Sequence, residues 1–148
     1  MPTVQNMLAE KTTKETYSVS ATDTVYHALE VMAQYDIGGV MVMDGERYVG
    51  IFTERDYARK VILKGQVSKT MLVKEIMTSE MVTVSPDMTA EKCMALMTKY
   101  KIRHLPVVEN RNVIGLISIG DVVKLLVEEK DITIRSLENF ILGREMTT

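Results

Sequence analysis

The sequence predicts an α+β fold in which one β-α-β-β-α unit occurs twice. Three observations carry this. Sliding the 148-residue chain by 65 positions lays Tyr17 to Ile62 over Val82 to Val127 without a gap, with Val19 on Val84, Thr24 on Thr89, Met32 on Met97, Ile37 on Ile102, Gly50 on Gly115 and Asp56 on Asp121. Within each copy the apolar period changes from helical to strand-like at matching places. Each copy also ends an apolar run at a hydroxyl residue with aspartate three positions later, in Gly50 to Asp56 (GIFTERD) and Gly115 to Asp121 (GLISIGD).

Taken in order, the chain opens with a lead-in helix over Val4 to Glu10. Val4 to Leu8 resembles Val73 to Met77 at an offset of 69, so the first copy carries four extra residues around Thr12 to Thr16 and the second unit has a short lead-in of its own. After a first strand, Val25, Ala28, Leu29 and Met32, and likewise Ala90, Cys93, Met94 and Met97, recur at i, i+3, i+4, i+7, which is one helical face. Cys93 falls on Ala28 and reads as a small core residue. Two strands follow, Val40 to Met43 and a run through Gly50, with counterparts at Leu105 to Val108 and through Gly115; Asp44-Gly45 and Glu109 to Asn112 supply turn chemistry. The next helix runs from Glu54 to about Lys64 and stops at Gly65, and its counterpart from Ile119 to about Lys130. Ile134, Leu137 and Ile141 predict a separate final helix that packs back or meets a partner chain. The expected division is 1–16 lead-in helix and linker, 17–65 first unit, 66–81 linker and short helix, 82–130 second unit, 131–148 terminal helix and tail. A chain of this length supports one real core and not two independent ones, so the units are expected to share theirs.

Composition excludes several classes. Apolar residues at 46%, charged residues at 26% and a net charge of −2 suit a globular protein with no general drive toward nucleic acid. No run is long enough to span a membrane and no signal-peptide layout is visible, so a cytoplasmic protein without membrane association is expected. One cysteine and two histidines give no metal-ligand spacing and no internal disulfide. The strand-to-helix junctions carry the chemistry. Thr53 or Ser118 at N-cap with Asp56 or Asp121 at N3 is a capping box, which needs no ligand. The same junction also offers free amides to a phosphate and a carboxylate to ribose hydroxyls.

Two such units carrying KIRHLPVVE (Lys101 to Glu109), GLISIGD, TERDYARK (Thr53 to Lys60) and EIMT (Glu75 to Thr78) resemble a tandem pair of CBS (cystathionine β-synthase) domains. The resemblance covers nearly the whole chain. It implies two units about a pseudo-twofold axis with two clefts between them, binding adenine nucleotides as a regulatory module, and a homodimer shaped as a flat disc. It implies that Asp121 and Ser118 face Tyr17, Ile37 and Gly38 of the first unit, while Asp56 and Thr53 face Val82, Ile102 and Arg103, with His104 nearby. The aspartates would hold ribose, backbone and apolar groups the adenine, and Arg55 and Arg103 the phosphates, with Arg59 and Lys60 further along the helix. AMP and NAD(H) are the favoured ligands, ATP is a further candidate, and no cofactor is required. Gly38-Gly39 stands where the second unit has Arg103-His104, so the Asp121 cleft is expected to be roomier and less charged. A ligand-free scaffold and a small enzyme are the alternative readings; no nucleophile-base pair or paired catalytic carboxylates can be assembled from these motifs.

Overall fold

In a computed structural model the protein is described over residues 1–11 and 16–143; the extra residues expected around Thr12 to Thr16 and the tail beyond Gly143 lie mostly outside this range. The elements are α1 (Val4–Glu10), β1 (Ser18–Ser20), α2 (Val25–Tyr35), β2 (Gly39–Asp44), β3 (Arg47–Thr53), α3 (Glu54–Asp56), α4 (Ala90–Tyr100), β4 (His104–Glu109), β5 (Asn112–Ser118) and α5 (Ile119–Leu142). The repeat predicted from the sequence is the repeat observed. Both first helices start at a threonine cap, Thr24 accepting from the His27 amide and Thr89 from the Lys92 amide. Both end with a left-handed residue, Asp36 (φ 52°) and Lys101 (φ 54°). The two hairpins bulge at the same place, between Val42 and Met43 and between Val107 and Val108.

Four elements depart from the expectation. The first strand of the second unit is missing as a ladder: Val84 makes one isolated bridge to Val107, whereas Ser18, Val19 and Ser20 pair with Met41, Val42 and Met43. The cause is Pro106. Its counterpart Met41 donates its amide to the Tyr17 carbonyl at 3.0 Å, a bond that proline cannot make. The second lead-in is a single 3-10 turn, Val73–Glu75, closed by the Glu75 carboxylate accepting from the Leu72 amide at 2.7 Å. The helix after β3 is a composite of α3, a π turn over Tyr57–Val61 and a 3-10 turn over Ile62–Lys64, ending as expected at left-handed Gly65. The predicted break near Lys130 does not occur. No Pro interrupts Ile119–Leu142, and α5 continues until Gly143 (φ 68°) stops it.

The core corrects the reading of one shared interior. There are two clusters, and each is completed by the lead-in of the other unit. Val4 and Met7 are buried with Leu105, Val107, Ile117 and Val122 of the second unit. Val73 and Ile76 are buried with Val25, Val40 and Phe52 of the first. Backbone bonds tie the exchange: the Val4 amide donates to Met88 O and the Ala90 amide to Pro2 O, while the Val25 amide donates to Met71 O and the Val73 amide to Asp23 O. This crossing explains the glycines of the repeated motifs. A Cβ on Gly50 would stand 2.9 Å from the Thr78 carbonyl oxygen, and one on Gly115 would stand 2.7 Å from Leu8 Cδ2. Cys93 is fully buried in its cluster, and burial pushes its thiol up to about 11, which leaves it inert.

Candidate functional site

Exchanging lead-ins brings the start of each final helix against the other unit and leaves a cavity at each junction. At the first, the Ser118 amide donates to Asp121 Oδ2 at 2.8 Å and the Asp121 amide to Ser118 Oγ at 3.3 Å, the reciprocal capping box predicted from GLISIGD. The cavity beside it encloses about 380 Å³ and is lined by Ser118, Asp121, Tyr17, Ile37 and Gly38 together. Tyr17 is held at its mouth by Tyr35, whose ring stacks at 4.0 Å between centroids.

At the second junction, the Thr53 amide donates to Asp56 Oδ2 at 3.1 Å and the Asp56 amide to Thr53 Oγ1 at 3.2 Å. The adjoining cavity is about 600 Å³ and is lined by Thr53, Arg55, Asp56, Val82, Ile102, Arg103 and His104. Both cavities fall within the usual size of small-ligand sites. The structure thus gathers all the sequence-predicted site residues into two cavities with the division expected of them.

Each aspartate is also paired with a lysine, and sequence reasoning missed one of the two. Lys60 lies one helical turn after Asp56 and holds its Oδ1 at 3.0 Å, with Thr78 Oγ1 donating to the same oxygen at 3.3 Å. Asp121 has Leu125 at the equivalent place; its partner is Lys11, just beyond α1, with Nζ 3.1 Å from Asp121 Oδ2 and donating to the Leu116 carbonyl at 2.7 Å. No local spacing signals Lys11. Thr78, by contrast, lay in the EIMT motif and could have been placed by its offset from the first lead-in.

His104 corrects the expectation of extra room behind Gly38-Gly39. It lines both cavities, and a Cβ on Gly39 would stand 3.1 Å from its Cδ2, while one on Gly38 would stand 2.9 Å from Glu54 Oε1. Gly39 and His104 are counterparts in the repeat, so near the pseudo-twofold axis each meets the other and only one can carry a ring. The Asp121 cavity is therefore the smaller one. The charge asymmetry keeps its expected direction: Arg55, Arg59, Lys60, Lys101 and Arg103 face Glu54, Asp56 and Glu80 in the larger cavity, against Lys11 with Asp36 and Asp121 in the smaller. Arg55 also reaches across the units and donates from Nη1 to the Lys101 carbonyl.

Burial holds the His104 pKa below its ordinary value; Lys11 and Arg103 add to the shift, and Asp121 and Asp56 oppose it. The unfolded chain then binds a proton near pH 6.5 that the folded chain refuses, so stability falls as pH drops from about 6.5 toward the lowered folded value and levels below it. His104→Gln is expected to flatten that part of a Tm-against-pH curve, and an unchanged slope would assign the loss to other groups. Among the described residues no cluster of histidine, cysteine and carboxylate side chains fits a metal ion, and no helix is long and apolar enough to cross a membrane.

Comparison with known proteins agrees with this geometry. A family model described as the CBS domain matches residues 9–63 and 73–128, one match per unit. CBS domain-containing protein CBSX3, mitochondrial, of Arabidopsis thaliana is 44% identical over 126 residues, which is 82% of this chain and 61% of that protein's length. The solved structure of a putative signal-transduction protein with CBS domains from Burkholderia ambifaria superposes with a TM-score of 0.83 at 46% identity, covering 85% of this chain and 94% of that one. The CBS domain pair of protein MJ0100, solved in complex with 5′-methylthioadenosine and S-adenosyl-L-methionine, has the same fold at 23% identity and a TM-score of 0.74, with 87% of this chain and 98% of that one covered. Two units in tandem, each completed by the other's lead-in and each matched by the same family model, are a CBS domain pair, and the chain belongs to the CBS domain family.

Proposed function

We propose that this chain is a regulatory module that binds adenine nucleotides in its two inter-unit clefts and signals by conformational change. The observation that carries the reading is the placement of each capping-box aspartate, with its lysine, against an apolar and backbone wall from the other unit. A carboxylate there accepts from both ribose hydroxyls, while the hydroxyl and amides of the helix start meet the α-phosphate. The adenine would lie against Tyr17, Ile37 and Gly38 in one cleft and against Val82 and Ile102 in the other. Lys60 and Lys11 neutralise the aspartates in the empty clefts and are positioned to turn toward phosphate. The ligands held by the MJ0100 pair, both adenosine compounds, support this class of ligand for the fold. AMP or an NAD(H)-type dinucleotide is the favoured ligand, with ATP as a further candidate.

Because both units line each cleft, a ligand changes the relative stability of their arrangements, and a partner protein reads the shifted population. The role is regulatory and not catalytic in this reading. Cytoplasmic location and a homodimeric state are part of the same proposal; the Arabidopsis relative is itself named as mitochondrial.

Calorimetry with AMP tests the assignment. Two sites per chain are expected in the wild type and one in Asp121→Ala, since loss of the ribose carboxylate removes charge-assisted bonds of about 1.5–3 kcal/mol each. Full stoichiometry with unchanged affinities in Asp121→Ala would make Asp121 a helix cap and nothing more. Absence of any stabilisation by AMP, ATP, NAD, NADH or S-adenosylmethionine in a thermal-shift series would favour the ligand-free scaffold.

A further inference from the structure

The last twelve residues of α5 leave the body of the protein with an apolar face that nothing in the chain covers. Ile134, Leu137 and Ile141 are 52%, 58% and 78% exposed, although α5 is continuous through Leu142. Their spacing extends back through Lys130 and Val127 to Val123 in steps of four, three, four, three and four, which is a heptad seam and not the 3.6-residue stripe of a helix lying on a globular core. On that seam the β-branched residues Val127, Ile134 and Ile141 take the a positions and Leu137 takes d, the distribution that favours two parallel strands; Lys130, the one charged d position, can lay its stem along the seam and lift its ammonium out.

A helix segment of this length is marginal in water without a packed face. Its surroundings also narrow what covers it. Glu128, Glu129, Asp131 and Glu138 outnumber Lys130 and Arg135 from residue 128 onward, which opposes an anionic lipid surface.

We infer that a second copy of this chain covers it: residues 123–141 of two α5 helices pair as a parallel two-stranded coil. This deepens the proposed homodimer by naming its contact surface, and it stands independently of which ligand the clefts hold. The core face of α5, through Val122 and Leu125, stays within its own unit, so pairing requires no rearrangement of the clefts.

Light scattering at micromolar concentration tests it on the full chain. The wild type is expected at twice the 16.7 kDa chain mass, and Ile134→Asp with Leu137→Asp at the chain mass. Ile132→Asp serves as the control: Ile132 is 63% exposed but lies off the seam, and this variant is expected to stay dimeric. Ile134→Cys is expected to form an intermolecular disulfide on mild oxidation, because a parallel seam sets the two a positions face to face, while buried Cys93 does not compete. A monomeric wild type, a dimer that survives the paired substitution, or equal dissociation by Ile132→Asp would each overturn the inference, and failure of Ile134→Cys to cross-link would overturn its parallel register. Calorimetry with AMP on the same variants separates this from the ligand reading, since loss of the seam is expected to leave AMP bound.

Discussion

Replacing Arg55 and Arg103 by methionine is expected to weaken AMP at the Asp56 cleft by about 100-fold, on the basis of roughly 1.4 kcal/mol or more for each charge-assisted bond to phosphate. Adenosine binding at the same cleft is expected to change little. The two arginines line the larger cavity from opposite units, Arg55 from the start of the first final helix and Arg103 from the segment before β4. Arg55 holds the Lys101 carbonyl across the unit boundary in the empty cleft, so it has a structural task as well. The adenosine control separates the two tasks. Equal losses for AMP and adenosine would mean that the arginines shape the cleft and do not read the phosphate. Raising the salt concentration should weaken AMP more at this cleft than at the Asp121 cleft, where Lys11 is the one basic side chain among the described lining residues.

Gly50→Ala is expected to destabilise the fold by about 2–3 kcal/mol, a drop in Tm on the order of 8 °C for a chain of this size. The new methyl would press on the Thr78 carbonyl, and that carbonyl has little freedom to yield. It accepts from the Ile51 amide at 2.9 Å, and the Thr78 amide donates back to Ile51 O at 2.8 Å. The counterpart Gly115→Ala is expected to cost less, about 1 kcal/mol, because it meets the end of the Leu8 side chain, which can rotate away. Urea or thermal unfolding of the two variants measures the difference. Gly50→Ala should also weaken AMP at the Asp56 cleft, since displacing Thr78 withdraws its hydroxyl from Asp56. A Gly50→Ala protein as stable as Gly115→Ala would mean that the crossing segment shifts freely and that the glycine is not required for its approach.

Much of this architecture is readable from residue order because it rests on local chemistry. The capping boxes at Thr53–Asp56 and Ser118–Asp121, the threonine caps at Thr24 and Thr89, and the stop at Gly65 each depend on residues within one turn of one another. The repeat then transfers each assignment from one unit to the other. The same logic placed Tyr17, Ile37 and Gly38 opposite Asp121, since a pseudo-twofold relation makes the wall of one cleft the counterpart of the other. Pro106 shows the limit of such transfer. The pattern called for a strand in both units, but one missing amide removed the ladder in the second.

What the sequence by itself determined, then, is the unit, its duplication and the two junctions that carry the aspartates. Tertiary structure decided what completes them. The lead-ins cross to the other unit because each unit alone leaves an apolar gap that only the partner's lead-in fills, and no periodicity within α1 reveals which core receives Val4 and Met7. That crossing brings Lys11 to Asp121 from the far end of the chain, supplying a charge that the residues around GLISIGD do not contain. Gly38-Gly39 read as open space until His104 was found in it, because near a pseudo-twofold axis the room left by a glycine belongs to its own counterpart.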